Sequence, residues 1–395
     1  MMGDGADRLA VIGMGWIGAY MVPCYRSLLG EGYEKRMFAV KAGSRGIEEL
    51  RHRYGFEIIA GNCLDKLKEY KPGILVLSVR PHEVAGVAED TIKPYVKYRR
   101  EQGGGGLLLL SFAPSPRPEW YTRILGDGVR TVCILPAMET VIGGLDVYSL
   151  AFNKITYDPG CPPGREQLDA VRQFLKPLGQ VFECTPDESL RLLSMSITYH
   201  MLYLLCFGLE PHYGDESGQG GCARAAGILY ALNRRRLGLP GLITPAAAPD
   251  GRQMDGQQMD RLAWLEKGWY EGALAFARGA GGEAGNKAGP YDGREGGNGN
   301  GNGTRAGTAG NADIIAPRSF ELHLLSLQLE TREFLEAKLK DHATPGGMTE
   351  EAVSGFRQLW TGKDWMDGDV SMAYDISYRL AELVYKKGKA LEKRR

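Results

Sequence analysis

Leu9-Ala10-Val11-Ile12-Gly13-Met14-Gly15-Trp16-Ile17-Gly18 decides the fold of this chain. Four consecutive apolar residues read as a short strand buried on both faces, as in a parallel sheet. Three glycines then open the helical pattern Trp16–Leu29. Gly13 suits the tight turn, Gly15 lets the backbone approach a diphosphate, and Gly18 lets helix and strand pack closely. Strand, glycines and helix in this order predict a dinucleotide-binding loop formed by Gly13, Met14, Gly15, Trp16, Ile17 and Gly18.

Working outward, short apolar runs alternate with helical patterns up to about Asn153. Strands are predicted at Arg8–Gly13, Met37–Ala42, Phe56–Ile59, Ile74–Val79, Leu107–Phe112 and Arg130–Leu135, with helices at Trp16–Leu29 and Ile47–Tyr54. Val147–Phe152 and Gln180–Cys184 read as further strands around a helix near Glu166–Leu178. This is the pattern of an α/β, Rossmann-type, doubly wound parallel sheet. From Asp187 the pattern becomes helical, with 3.6-residue apolar periodicity in Glu188–Leu209, Met259–Arg278, Ser319–Lys340, Thr349–Leu359 and Val370–Lys389. The expected organisation is an NAD(P)-binding domain over residues 1–185 and an all-helical dimerisation and substrate domain over 186–395. A Gly/Asn-rich insertion at about 279–316 interrupts the helices. Its core, Gly279–Asn311, is too poor in apolar residues to offset the entropy of ordering, which predicts a disordered surface segment.

The 395 residues carry 48 basic and 48 acidic side chains, a formal charge of zero, which argues against a nucleic-acid binder. Seven cysteines form no CxxC pair and no Cys/His metal spacing, so no metal is expected. An odd, scattered set reads as buried thiols in a reducing, cytoplasmic compartment. The first strand begins almost at once without a basic and apolar leader, so no signal peptide is expected. The most apolar stretch, Leu190–Phe207, contains Ser194, Ser196, Thr198 and His200 and reads as a buried helix rather than a membrane span.

Two further stretches carry chemistry. After the second strand the chain reads Ala42-Gly43-Ser44-Arg45, where NAD-preferring domains place a carboxylate for the ribose hydroxyl. Ser44 and Arg45 instead suit a ribose 2′-phosphate, because the guanidinium offers a fork of donors to phosphate oxygens. NADPH is therefore expected, with NADH as the alternative. Far downstream, Thr344-Pro345-Gly346-Gly347-Met348-Thr349 precedes a helix. Successive amides of such a turn point inward and form a nest for a carboxylate. A dinucleotide loop at one end and a carboxylate nest at the other suggest a two-part reductase acting on a small acid.

These motifs resemble the pyrroline-5-carboxylate reductases, which reduce a five-membered cyclic imine to proline with NAD(P)H. Gly13–Gly18 matches the family's fingerprint in place. Val79-Arg80-Pro81-His82 is similar to its Val-Lys-Pro turn, and Asn62 stands where the family has an asparagine near the adenosine. Val132–Pro136, followed by Val141–Gly144, resembles a segment that ends in Asn-Thr-Pro with a glycine beyond. Thr344–Thr349 resembles the family's Ser-Pro-Gly-Gly-Thr-Thr substrate loop. The resemblance implies that Asn62, Val79, Arg80, Pro81 and Ala113 join the glycine loop around the cofactor. It implies a substrate site of Thr344, Gly346, Gly347, Met348, Ser196 and His200, with Thr349 as the catalytic hydroxyl nearest the imine nitrogen. It also implies a homodimer or higher homo-oligomer built through the helical half. Thr349 has a second reading as a helix cap, and Ser196 as a donor to its own helix backbone.

The chain departs from the family pattern at Ala137-Met138-Glu139, where the family has Asn-Thr-Pro. It departs again at Met195–His200, where only the serine of Gly-Ser-Gly-Pro-Ala-Tyr is kept. Glu139 is read either as a group that stabilises an iminium cation or as a loop charge. The expected activity is NADPH-dependent reduction of a cyclic imino acid, pyrroline-5-carboxylate by default. A related NADP-dependent oxidoreductase on another imine or a carbonyl, and a catalytically silent NADP-binding regulator, remain the alternatives.

Overall fold

The computed structural model describes residues 7–136, 152–203, 268–279, 311, 347–359 and 370–393. The chain divides into two compact units. One comprises residues 1–140, 146–189 and 391–395, and the other residues 141–145 and 190–390.

The first unit is built on one sheet of eight strands: β1 Leu9–Ile12, β2 Met37–Lys41, β3 Glu57–Ala60, β4 Ile74–Leu77, β5 Leu107–Ser111, β6 Val129–Leu135, β7 Phe152–Tyr157 and β8 Gln180–Glu183. Their order is β3-β2-β1-β4-β5-β6-β7-β8. The first six run parallel, with Leu9 opposite Met37 on one side and Ile74 on the other. β7 runs antiparallel to β6, with Leu135 opposite Lys154, and β8 is parallel to β7. In β1, β4 and β5 every residue is buried, which explains why these strands read as unbroken apolar runs rather than alternating ones.

Both faces of the sheet are covered by helices. Leu9, Val11, Ile74 and Val76 face α2 (Val22–Leu29) and α8 (Arg165–Leu175) through Tyr25, Phe174 and Leu175. Ala10, Ile12, Leu75 and Leu77 face the opposite layer, which includes α4 (Leu64–Tyr70), α5 (Val84–Val87), α6 (Lys93–Glu101) and α7 (Pro118–Leu125). Each fully buried aliphatic side chain contributes about 1.5–3 kcal/mol, so the two half-cores are the main source of this unit's stability. Remaining helices are α1 (Trp16–Tyr20), α3 (Ile47–Tyr54) and α9 (Pro186–Tyr203). Thr185 Oγ1 accepts from the Glu188 amide and Glu188 Oε2 from the Thr185 amide, a reciprocal cap that starts α9.

One expectation is corrected. The single helix over Trp16–Leu29 is two, because Pro23 in the first turn of α2 lacks an amide and its ring excludes a continuous helix, so the chain bends at Met21. β7, Phe152–Tyr157, begins at the last residue of the strand expected at Val147–Phe152 and continues through Asn153, Lys154 and Thr156, which are polar yet buried. Residues 147–151 lie outside the described residues, as do the expected helix Ser319–Lys340 and most of the Gly/Asn-rich insertion.

The described part of the second unit is helical: α9 from Leu190 onward, a stretch at 268–277 (α10), α11 (Met348–Leu359) and α12 (Val370–Lys393). Small residues set their spacing. A Cβ at Gly272 would overlap the Tyr374 carbonyl, so α10 and α12 touch backbone to backbone. Ser377 Oγ donates to the Trp269 carbonyl at 2.7 Å across the same contact. The Arg191 guanidinium lies over the Tyr385 ring at 4.8 Å and the Phe276 ring at 5.4 Å.

Candidate functional site

The sheet order reverses direction at β1: the chain proceeds outward to β2 and β3, then returns to β4 on the other side of β1. In open α/β sheets a ligand crevice forms at this point, beyond the carboxyl ends of the strands. Gly13–Gly18 lies at the end of β1. Gly13 has φ +106, and a Cβ there would come within 2.7 Å of the Ser78 carbonyl group and 2.9 Å of Val79 Cγ1. Only glycine fits that turn. A Cβ at Gly18 would stand 2.6 Å from the Gly13 carbonyl oxygen, so this glycine is required for the helix to start so close to the strand. At Gly15 the same test meets nothing within 4 Å. The middle glycine therefore opens onto space into which a ligand backbone fits.

The loop is held from both neighbouring strands. The amides of Gly13 and Met14 donate to the Val40 carbonyl of β2 at 3.0 and 2.7 Å. From β4, Ser78 Oγ donates to the Gly13 carbonyl at 2.8 Å, and the Ser78 amide to the Ile12 carbonyl at 2.9 Å. Met14 itself is buried in the core. The first helical bond runs from the Ala19 amide to the Gly15 carbonyl at 2.9 Å. The amides of Trp16, Ile17 and Gly18 thus precede the hydrogen-bond ladder, at the positive end of the helix. These features fit the diphosphate of a dinucleotide: close backbone approach, first-turn amides and no carboxylate in the loop. Ser78 was missed as a site residue in the sequence, where it reads only as the end of an apolar strand.

Next to the loop, at the end of β2, Ser44 and Arg45 are both exposed. Lys41 Nζ donates to the Arg45 carbonyl at 2.8 Å, which adds a second cation to that corner. Asn62 is exposed after β3, and its Oδ1 accepts from the Leu64 amide at 2.9 Å, an Asx turn that leads into α4. Val79 and Pro81 are half-buried and Arg80 is exposed at the end of β4; the Arg80 amide donates to Glu83 Oε2 at 2.9 Å. Ala113 is buried just past β5, with its amide 3.4 Å from Ser111 Oγ. All these residues follow the carboxyl ends of β1 to β5.

In the second unit, Gly347, Met348 and Thr349 are half-buried at the start of α11. The Gly347 carbonyl accepts from the Glu351 amide at 3.2 Å, which makes Gly347 the cap. Thr349 sits a residue inside the helix, so its hydroxyl is not the capping group. Met348 packs its sulfur beside Gly388 of α12. Glu350 and Glu351 occupy the first turn, and Glu351 is paired with Lys387 at 3.2 Å. Ser196 is buried in α9, as is Ser194, whose Oγ donates to the Leu190 carbonyl at 2.8 Å. His200 lies in α9, one turn beyond Ser196. Thr344, Gly346 and Glu139 lie outside the described residues.

Four of the described cysteines, Cys24, Cys63, Cys133 and Cys184, do not offer a thiolate nucleophile. Burial pushes the Cys24 and Cys184 thiols up to about 12 and Cys63 to about 11, and raises Cys133 further. Among the described residues no group of three or more His, Cys, Asp or Glu side chains is placed to hold a metal, and no helix is long and apolar enough to cross a membrane.

No protein-family model matches the chain, and no curated protein matches it in sequence. Among solved structures the similarities are low. A pyrroline-5-carboxylate reductase from Coxiella burnetii is 14% identical over 60% of this chain and 82% of its own, with a TM-score of 0.41. The Plasmodium falciparum pyrroline carboxylate reductase, solved with NADP bound, is 12% identical over 98% of both chains, with a TM-score of 0.40. Prephenate dehydrogenase from Aquifex aeolicus is 12% identical over 50% of this chain and 69% of its own, with a TM-score of 0.38. The fold assignment rests on the sheet itself: a Rossmann-type α/β unit with its glycine loop at the switch of strand order, followed by a helical region.

Proposed function

We propose that this chain is an NADPH-dependent oxidoreductase that reduces a cyclic imino acid, with pyrroline-5-carboxylate as the first substrate to test. The observation that carries the reading is the loop at Gly13–Gly18, clamped by Val40 and Ser78 and open at Gly15. Ser44, Arg45 and Lys41, in a corner without a carboxylate between residues 42 and 46, support NADPH over NADH. Val79, Arg80, Pro81 and Ala113 extend the cofactor site toward β4 and β5. In this reading the bound cofactor supplies a hydride to the imine carbon.

The chain's part is to hold the substrate carboxylate on the amides of the Thr344–Thr349 turn and to deliver a proton to the imine nitrogen. Thr349 is the proposed donor, through its hydroxyl and a water that replenishes it, since a hydroxyl of ordinary acidity is a poor acid alone. Its position inside α11 rather than at the cap supports this role. Ser196 and His200, on one face of α9, are the proposed walls of the substrate site. A homodimer formed through the helical unit, working in the cytoplasm, completes the proposal.

One observation favours a second reading, an oxidoreductase acting on a different imine or a carbonyl. Glu350 and Glu351 place two carboxylates in the first turn beside the proposed anion nest, which adds negative charge there even with Glu351 paired to Lys387. Turnover separates the two. NADPH oxidation followed by absorbance with pyrroline-5-carboxylate, and lost in Thr349→Ala, is the expected result. NADPH binding without turnover on that substrate, but with turnover on another imine or a carbonyl, replaces it with the second reading.

A further inference from the structure

Among the described residues, the large hydrophobic side chain left exposed is Trp16, at 58%. It follows Gly15, the middle glycine of the loop, directly in sequence. Side chains on a helix lean back toward its N-terminus, so Trp16, the first residue of α1, leans over the glycine loop. Tyr20, one turn on, stacks against its ring with centroids 5.8 Å apart and an interplanar angle of 29°. The indole is therefore stacked on a second aromatic ring and still more than half exposed. Leaving so large an apolar surface exposed is unfavourable unless something covers it.

We infer that the Trp16 indole forms an aromatic wall of the cofactor crevice, covering the diphosphate and the ribose of the nicotinamide half of the dinucleotide. This rests on the dinucleotide reading of the glycine loop and adds a side-chain contact to it. Ser44 and Arg45, proposed for the adenosine half, follow β2 rather than the glycine loop that carries Trp16. The indole thus distinguishes a whole dinucleotide from its adenosine half.

The test is calorimetric titration of the full chain and its Trp16→Ala and Trp16→Phe variants with NADPH and with adenosine 2′,5′-bisphosphate. Trp16→Ala is expected to weaken NADPH about tenfold and to leave the bisphosphate within about twofold, with Trp16→Phe keeping most of the affinity. Equal affinity of wild type and Trp16→Ala for NADPH overturns the inference and leaves the dinucleotide reading intact. Equal weakening for both ligands also overturns it, since it marks a disturbed loop rather than a lost contact. A wild-type chain that binds neither ligand removes the dinucleotide reading and the inference with it.

Discussion

Gly13 and Ser78 carry the glycine loop between them, and their substitutions separate strain from anchoring. Gly13→Ala forces a Cβ into the Ser78 carbonyl at a backbone angle that L-residues avoid. It should cost about 1–3 kcal/mol of stability and abolish NADPH binding, measured by urea unfolding and by titration. Ser78→Ala removes a single hydrogen bond to the Gly13 carbonyl. A loss near 1 kcal/mol and a severalfold weaker NADPH complex are expected, with the fold intact. Arg45→Ala should weaken NADPH about tenfold and leave NADH unchanged, because the guanidinium is assigned to the 2′-phosphate alone. Equal effects on the two cofactors would place Arg45 outside the site. The glycines were legible because an apolar strand, three glycines at this spacing and a helix form a local pattern. Ser78 was not legible: its role depends on β4 lying beside β1, a contact across 65 residues.

At the scale of elements, helix spacing in the second unit follows from where glycine is forced and where it is only tolerated. Gly272→Ala drives a Cβ into the Tyr374 backbone, which has nowhere to move. Gly388→Ala meets only the ends of Leu190 and Met348, which are flexible side chains. Thermal unfolding should rank them clearly, with Gly272→Ala destabilised by about 1–3 kcal/mol and Gly388→Ala by less, since alanine also favours the helix. The same contrast explains what could be read from the sequence. β1, β4 and β5 were visible as apolar runs, and α3 at Ile47–Tyr54 was found with its bounds intact. β7 was not legible beyond Phe152 because Asn153, Lys154 and Thr156 are polar yet buried; Asn153 Nδ2 donates to the Leu178 and Gln180 carbonyls instead of facing water. The break at Met21 was encoded in Pro23, but an apolar periodicity continuing past it concealed the bend.

Across the whole molecule, the buried thiols tie stability to alkaline pH. Cys24, Cys63 and Cys184 have folded pKa values of about 12, 11 and 12, against 9.0 in an exposed thiol. The folded state holds these protons more tightly than the unfolded state. Their contribution is therefore complete below pH 9 and is lost as pH rises through the folded values. Each group steepens the decline by about 1.4 kcal/mol per pH unit in that window. Unfolding free energy measured from pH 8 to 11 should be flat at first and then fall, less steeply in Cys24→Ala than in the wild type.

The double anchoring of the glycine loop has a kinetic meaning as well. With Val40 and Ser78 fixing its backbone, the loop's ordering entropy is lost when the chain folds rather than when a dinucleotide arrives. Rapid mixing with NADPH should then give one phase whose rate rises linearly with concentration, without the plateau of a slow rearrangement. In Ser78→Ala, where one anchor is gone, the same trace should bend toward saturation.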